Sequence, residues 1–186
     1  MDSSTRIFID NLAEAVIDAY GITIPIDNIE AVVKKIGGEI VEKADLDDLY
    51  DGTIRKVDQN SFSIVISPFQ SEGRKAFTVA HELGHLFLHM GFGVDPDLWS
   101  QQNDTIYRRF GTSEQEYQAN EFAAALLMPQ KEYLSELLRN KTDDGKVCIS
   151  EIADYFHVSN AAAGNRGKFL GYLISVSYTH LRAHET

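Results

Sequence analysis

Residues 77–90 read "FTVAHELGHLFLHM": three histidines at intervals of four, with Glu82 directly after the first. On a helix, positions i and i+4 lie on one face about 6 Å apart along the axis. His81 and His85 can then point a ring nitrogen at one metal ion, and Glu82 can reach a water on that ion without being a ligand. The competing reading is a buried helix that carries imidazoles among its core residues. His89 cannot complete a triad with His81, because eight residues separate them by about 12 Å of helix. It is left to line the site or to pack. The longer metzincin pattern also fails, since Leu88 and Gly91 stand where it needs Gly and His.

A third ligand must come from another segment. "SEQEYQANEFAAALLMP" (113–129) reads as a helix with a Ser N-cap, an acidic first turn and a Pro stop. It offers Glu114, Glu116 and Glu121. Glu116 shares a face with Asn120 and with the small Ala119 and Ala123, so that face can approach the first helix closely where Gly84 removes bulk. Glu116 is therefore favoured over Glu114, which sits in the capping turn, and over Glu121, which points elsewhere. Asn120 is placed to accept a hydrogen bond from the second nitrogen of a ligand histidine. The remaining residues of "ANEFAAALLMP" read as plain core.

Around these helices the chain reads as α+β. A first helix is expected over 7–20, with Phe8, Leu12, Val16 and Ala19 on its packed face. A second follows "GITIP", capped by Asp27 and closed by Gly37 and Gly38. "EIVEK", "GTIRKV" and "SFSIVIS" predict three strands, with a turn at 58–60 and an acidic loop over 44–51. A helix from Glu72 to Met90 carries the opening stretch. Residues 91–112 read mainly as loop, 130–140 as a short helix, and 149–172 as a helical pair turning near Val158 and Ser159. The expected organisation is one domain over 1–173: a helical part at 5–37, a sheet at 38–67, catalytic helices at 72–140 and a C-terminal helical pair at 149–172. The tail at 175–186, "SVSYTHLRAHET", resembles a translated sequencing-adapter scar; its His180 and His184 imitate a metal pair and are set aside.

Composition narrows the function classes. Net charge is −11, and the basic residues fall in isolated pairs such as Lys34-Lys35 and Arg74-Lys75. That is the wrong balance for a nucleic-acid surface, although "ISEIADYFHVS" looks like the first half of a helix-turn-helix. Cys148 is the sole cysteine, which excludes an internal disulfide or a multi-cysteine knuckle. The N-terminus lacks the pattern of a signal peptide, and "FAAALLM" is far too short to span a bilayer. A soluble, cytoplasmic protein is expected.

The paired stretches "FTVAHELGHLFLH" and "EYQANEFAAALLMP" resemble the ImmA/IrrE group of zinc metallopeptidases, and the similarity extends over about residues 10–172. One departure is "NAAAGNRGKFLGYL", where that group often carries a more regular "xxRLxxLG" helix. The resemblance implies a gluzincin-like core, a small three-stranded sheet packed on the active-site helix. It implies Zn2+ held by His81, His85 and Glu116, with Glu82 as catalytic base, in a protein of bacterial or phage origin. It further implies a protein substrate: a DNA-binding helix-turn-helix repressor whose cleavage derepresses mobile-element or stress genes. In such chemistry Glu82 takes a proton from the attacking water and returns it to the leaving amine. Tyr107, Tyr117, His89 and Arg108 are candidates for the oxyanion or substrate contact. An extended substrate is expected on a sheet edge, placed at the strand with Ile64 and Ile66. The rival is a zinc-stabilised regulator that acts on a repressor or sensor by contact alone.

Overall fold

The computed structural model describes residues 2–44, 52–102, 113–143 and 145–173. The tail, residues 45–51 of the acidic loop expected over 44–51, Tyr107 and Arg108 lie outside these residues. The architecture is α+β, with helices packed around a small mixed sheet.

Helix α1 spans Ser3–Tyr20 and starts where Asp2 accepts the Thr5 N–H at 2.8 Å. It ends on Gly21, whose φ of 57° is a left-handed cap. Its buried residues are Ile9, Ala13 and Val16; Phe8 and Ala19 are exposed. The expected face is thus wrong by one step around the helix. Both stripes share Val16, and the choice between them is made by α5, against which α1 packs. Helix α2, Ile29–Ile36, is capped by Asn28, which accepts from the Ala31 N–H at 2.9 Å. Asp27, expected in that role, instead pairs with His157 at 3.0 Å.

Strands β1 (Gly38–Glu42), β2 (Gly52–Lys56) and β3 (Phe62–Ile66) form a sheet in the order β1-β3-β2. β2 and β3 form an antiparallel hairpin, and β1 adds parallel to the far side of β3. The strand holding Ile64 and Ile66 is therefore the centre of the sheet and not an edge. Its composition accounts for this: Phe62, Ser63, Ile64 and Ile66 are all buried, so both faces are covered.

Helix α3, Glu72–Leu88, is the axis of the fold, and every residue from Thr78 to Phe87 is buried. A helix buried on all sides belongs in the middle of a core; α3 packs on β2 and β3 on one side and on α5 on the other. Within the segment expected as loop, a short helix α4 spans Pro96–Gln101. Asp95 caps it by accepting from the Asp97 and Leu98 N–H groups, and Pro96 fills the first turn. Buried Trp99 anchors it to the hairpin: its indole donates to the Gln59 carbonyl at 2.8 Å, and Lys56 donates to the Trp99 carbonyl.

Helices α5 (Ser113–Leu127), α6 (Gln130–Arg139), α7 (Ile149–Tyr155) and α8 (Asn160–Phe169) complete the fold. α8 is a regular helix in spite of its glycines, capped by Ser159, which accepts from the Ala162 N–H. A Cβ on Gly167 would run into the Tyr133 hydroxyl, so the glycine permits a close approach to α6. Arg166 is buried inward: Nη2 pairs with Asp10 at 2.6 Å and Nε donates to the Met128 carbonyl at 3.1 Å. It ties α8 to α1 and to the end of α5, and is unavailable to a phosphate backbone. Removing one partner of a buried pair strands the other charge and costs about 3–5 kcal/mol. Asp10→Ala is expected to lower the urea midpoint accordingly; an unchanged midpoint would remove this pair from the account of stability.

Candidate metal centre

The site forms where α3 crosses α5. Gly84 makes that approach possible: a Cβ there would lie 2.9 Å from the Ala119 Cα and 3.0 Å from its carbonyl oxygen. The two helices therefore meet backbone to backbone, and Glu116, one turn before Asn120, reaches the histidine face of α3.

His81 Nε2 and His85 Nε2 are 3.0 Å apart. Glu116 Oε2 is 3.3 Å from His81 Nε2, and Glu116 Oε1 is 3.5 Å from His85 Nε2. Taken together, one ligand atom from each residue lies within 4.8 Å of the others. Zinc bonded at about 2.0–2.1 Å in tetrahedral geometry spaces its ligand atoms by about 3.3–3.4 Å. The observed separations straddle that value. Glu116 Oε1 is also buried without a hydrogen bond among the described residues, in keeping with an oxygen that serves a cation. Two imidazoles and one carboxylate are a donor set suited to zinc, and both histidines are buried. The residues present fit that ion.

Polar side chains lie against these three residues. Asn120 Oδ1 sits 2.9 Å from His81 Nδ1. A carbonyl oxygen there accepts the Nδ1 proton and leaves the Nε2 lone pair facing inward. On the other histidine, His85 Nδ1 is 2.9 Å from His89 Nδ1, and His89 Nε2 is 3.0 Å from Gln118 Oε1. Burial pushes the His89 imidazole below its ordinary value, opposed by the Gln118 hydrogen bond and the Glu116 charge. His89 is thus engaged at both nitrogens. Nothing in the sequence pointed to Gln118: it stands two residues from both Glu116 and Asn120, a spacing that does not put side chains on one helix face.

Glu82 is only 2% exposed. It lies beneath β2, where a Cβ on Gly52 would come within 3.3 Å of Glu82 Oε1 and 2.7 Å of Thr78 Cγ2. A glycine at the start of β2 lets that strand pass directly over the carboxylate. Tyr117 is 65% exposed. Glu121 faces away from the triad, beside a cleft of about 430 Å³ that it lines with Asn120, Ala124 and Arg166. Burial raises its carboxyl above the usual range, with Arg166 and Arg6 opposing. Glu114 is exposed in the first turn of α5. Among the described residues, His81, His85 and Glu116 are the group of ligating side chains that converges in this way, and no helix is long and apolar enough to cross a membrane.

Residues 41–168 match the IrrE N-terminal-like domain of the M78 peptidases. Among solved structures, a Mycobacterium tuberculosis transcriptional regulator is similar in fold, with a TM-score of 0.57 at 18% identity. The match covers 85% of this chain and 45% of the mycobacterial one, so this chain spans less than half the length of that protein. Comparison with curated protein sequences returns no match.

Proposed function

The chain belongs to the IrrE N-terminal-like family of M78 peptidases, and from that premise we propose that it is a zinc-dependent endopeptidase whose substrate is a helix-turn-helix repressor. The observation that carries the enzyme reading is the convergence of His81, His85 and Glu116 with Glu82 buried alongside. The repressor reading is supported by the family resemblance of the two helical motifs, and cleavage would derepress the genes that the repressor silences.

In this reading His81, His85 and Glu116 hold the ion, and Asn120 keeps the His81 tautomer. Zinc when bound supplies Lewis acidity, lowering the pKa of water toward about 7 and polarising a carbonyl. Glu82 accepts the proton of the attacking water and delivers it to the leaving amine. An extended peptide is read along β2, which pairs only with β3 among the described residues and so presents its other edge beside Glu82. Tyr117 is the described candidate for steadying the oxyanion or the substrate; Tyr107 and Arg108 remain candidates on sequence grounds. His89 is set aside from that role because both of its nitrogens are occupied.

The test uses a purified helix-turn-helix repressor as substrate. Stripping the metal with phenanthroline is expected to stop cleavage, and one equivalent of zinc to restore it. Cleavage by protein shown by metal analysis to be zinc-free would sink the metallopeptidase reading. The second reading, a regulator that acts by contact, is kept in view by the name of the mycobacterial fold relative, a transcriptional regulator.

A further inference from the structure

A histidine that offers its Nε2 lone pair to a metal must carry its ring proton on Nδ1. For His81 that proton meets a plain acceptor, the Asn120 side-chain oxygen. For His85 it meets another imidazole, His89 Nδ1, at 2.9 Å. The two nitrogens form a hydrogen bond only when one of them holds the proton. With His85 Nδ1 as donor, His89 Nδ1 is the acceptor, and a neutral His89 then carries its own proton on Nε2. That nitrogen faces the Gln118 side-chain oxygen at 3.0 Å, and an oxygen accepts. Every atom in the sequence His85–His89–Gln118 thus has one consistent role, and the chain runs away from the metal position toward α5.

Resting on the reading of His81, His85 and Glu116 as metal ligands, we propose that His89 and Gln118 are positioning residues for His85, a side-chain relay that fixes its tautomer and ring angle. This gives the third histidine of the opening stretch a task, although it cannot reach the ion. It also gives α5 three contributions to one centre: Glu116 directly, Asn120 through His81, and Gln118 through His89 and His85. A relay partner of this kind is worth about 10–100-fold in metal affinity.

The experiment measures zinc affinity by competition with a chromophoric chelator, alongside long-range proton–nitrogen spectra of the histidine rings in the zinc-loaded protein. His89→Phe keeps ring bulk and removes the acceptor; it is expected to weaken zinc binding by about 10–100-fold. His89→Gln restores an acceptor and is expected to recover most of that loss, which a mere packing role would not predict. Gln118→Ala, on a partly exposed position, is expected to weaken zinc by a smaller factor and to blur the His89 tautomer. In the unmutated protein the His89 proton is expected on Nε2. Wild-type affinity in His89→Phe, or a His89 proton found on Nδ1, overturns the relay. His81→Ala and Glu116→Ala separate the two levels: if both retain full zinc affinity, the metal-centre reading itself fails. If both lose it while His89→Phe does not, only the relay fails.

Discussion

Glu82→Gln is expected to bind zinc as the wild type does and to hydrolyse its substrate roughly 100- to 10,000-fold more slowly, the range attributable to a positioned general base. The amide matches the carboxylate in shape, so the packing beneath β2 against Gly52 and Thr78 survives. What is lost is the ability to take a proton from water. Glu116→Ala makes the contrast. Binding free energies of about 10–16 kcal/mol shared among four ligand positions put about 3 kcal/mol on each. Losing Glu116 is therefore expected to weaken zinc by roughly two orders of magnitude, and activity falls with occupancy. The paired measurements are metal content after dialysis and cleavage at saturating zinc. A Glu116→Ala protein with unchanged zinc affinity would remove Glu116 from the ligand set. A Glu82→Gln protein that still derepresses target genes in cells would favour the regulator that acts by contact.

The convergence of His81, His85 and Glu116 was legible because each contributing face is local. His81 and His85 share a face by helical spacing alone, and Glu116 with Asn120 shares another; the alanines and Gly84 indicate that the faces can meet. The His89 relay was not legible, because it depends on ring orientation and on Gln118, whose position two residues from Glu116 gives no hint of a shared task. Helix α4 left a signal that composition obscured: Asp95-Pro96 is a helix start, but the surrounding glycines read as loop. The order of the strands needed tertiary information. A hairpin between β2 and β3 follows from the turn at 58–60, whereas β1 pairs with β3 across the intervening β2, a contact that no local pattern announces. The same limit applies to α1, where the packed face is set by α5 and not by the helix's own pattern.

Gly84→Ala alters no proposed ligand, yet it is expected to weaken zinc binding by an order of magnitude or more and to destabilise the fold by about 1–3 kcal/mol. The added Cβ would sit 2.9 Å from the Ala119 Cα and 3.0 Å from its carbonyl oxygen. Both are backbone atoms, so no side-chain rotation relieves the contact, and α5 must move away from α3 as a unit. Glu116 and Asn120 move with it, while His81 and His85 stay on α3. Ligand separations now at 3.3 and 3.5 Å would lengthen together. A site that needs bonds within a few tenths of an ångström does not tolerate that shift. In ordinary helix interiors the same change stabilises, since alanine is the better helix former by about 1 kcal/mol, so the expected sign is opposite to the intrinsic propensity. Zinc competition and thermal melts of the metal-free protein separate the two effects. If Gly84→Ala melts higher and binds zinc normally, the close helix crossing is not what sets the distance between the two histidines and Glu116.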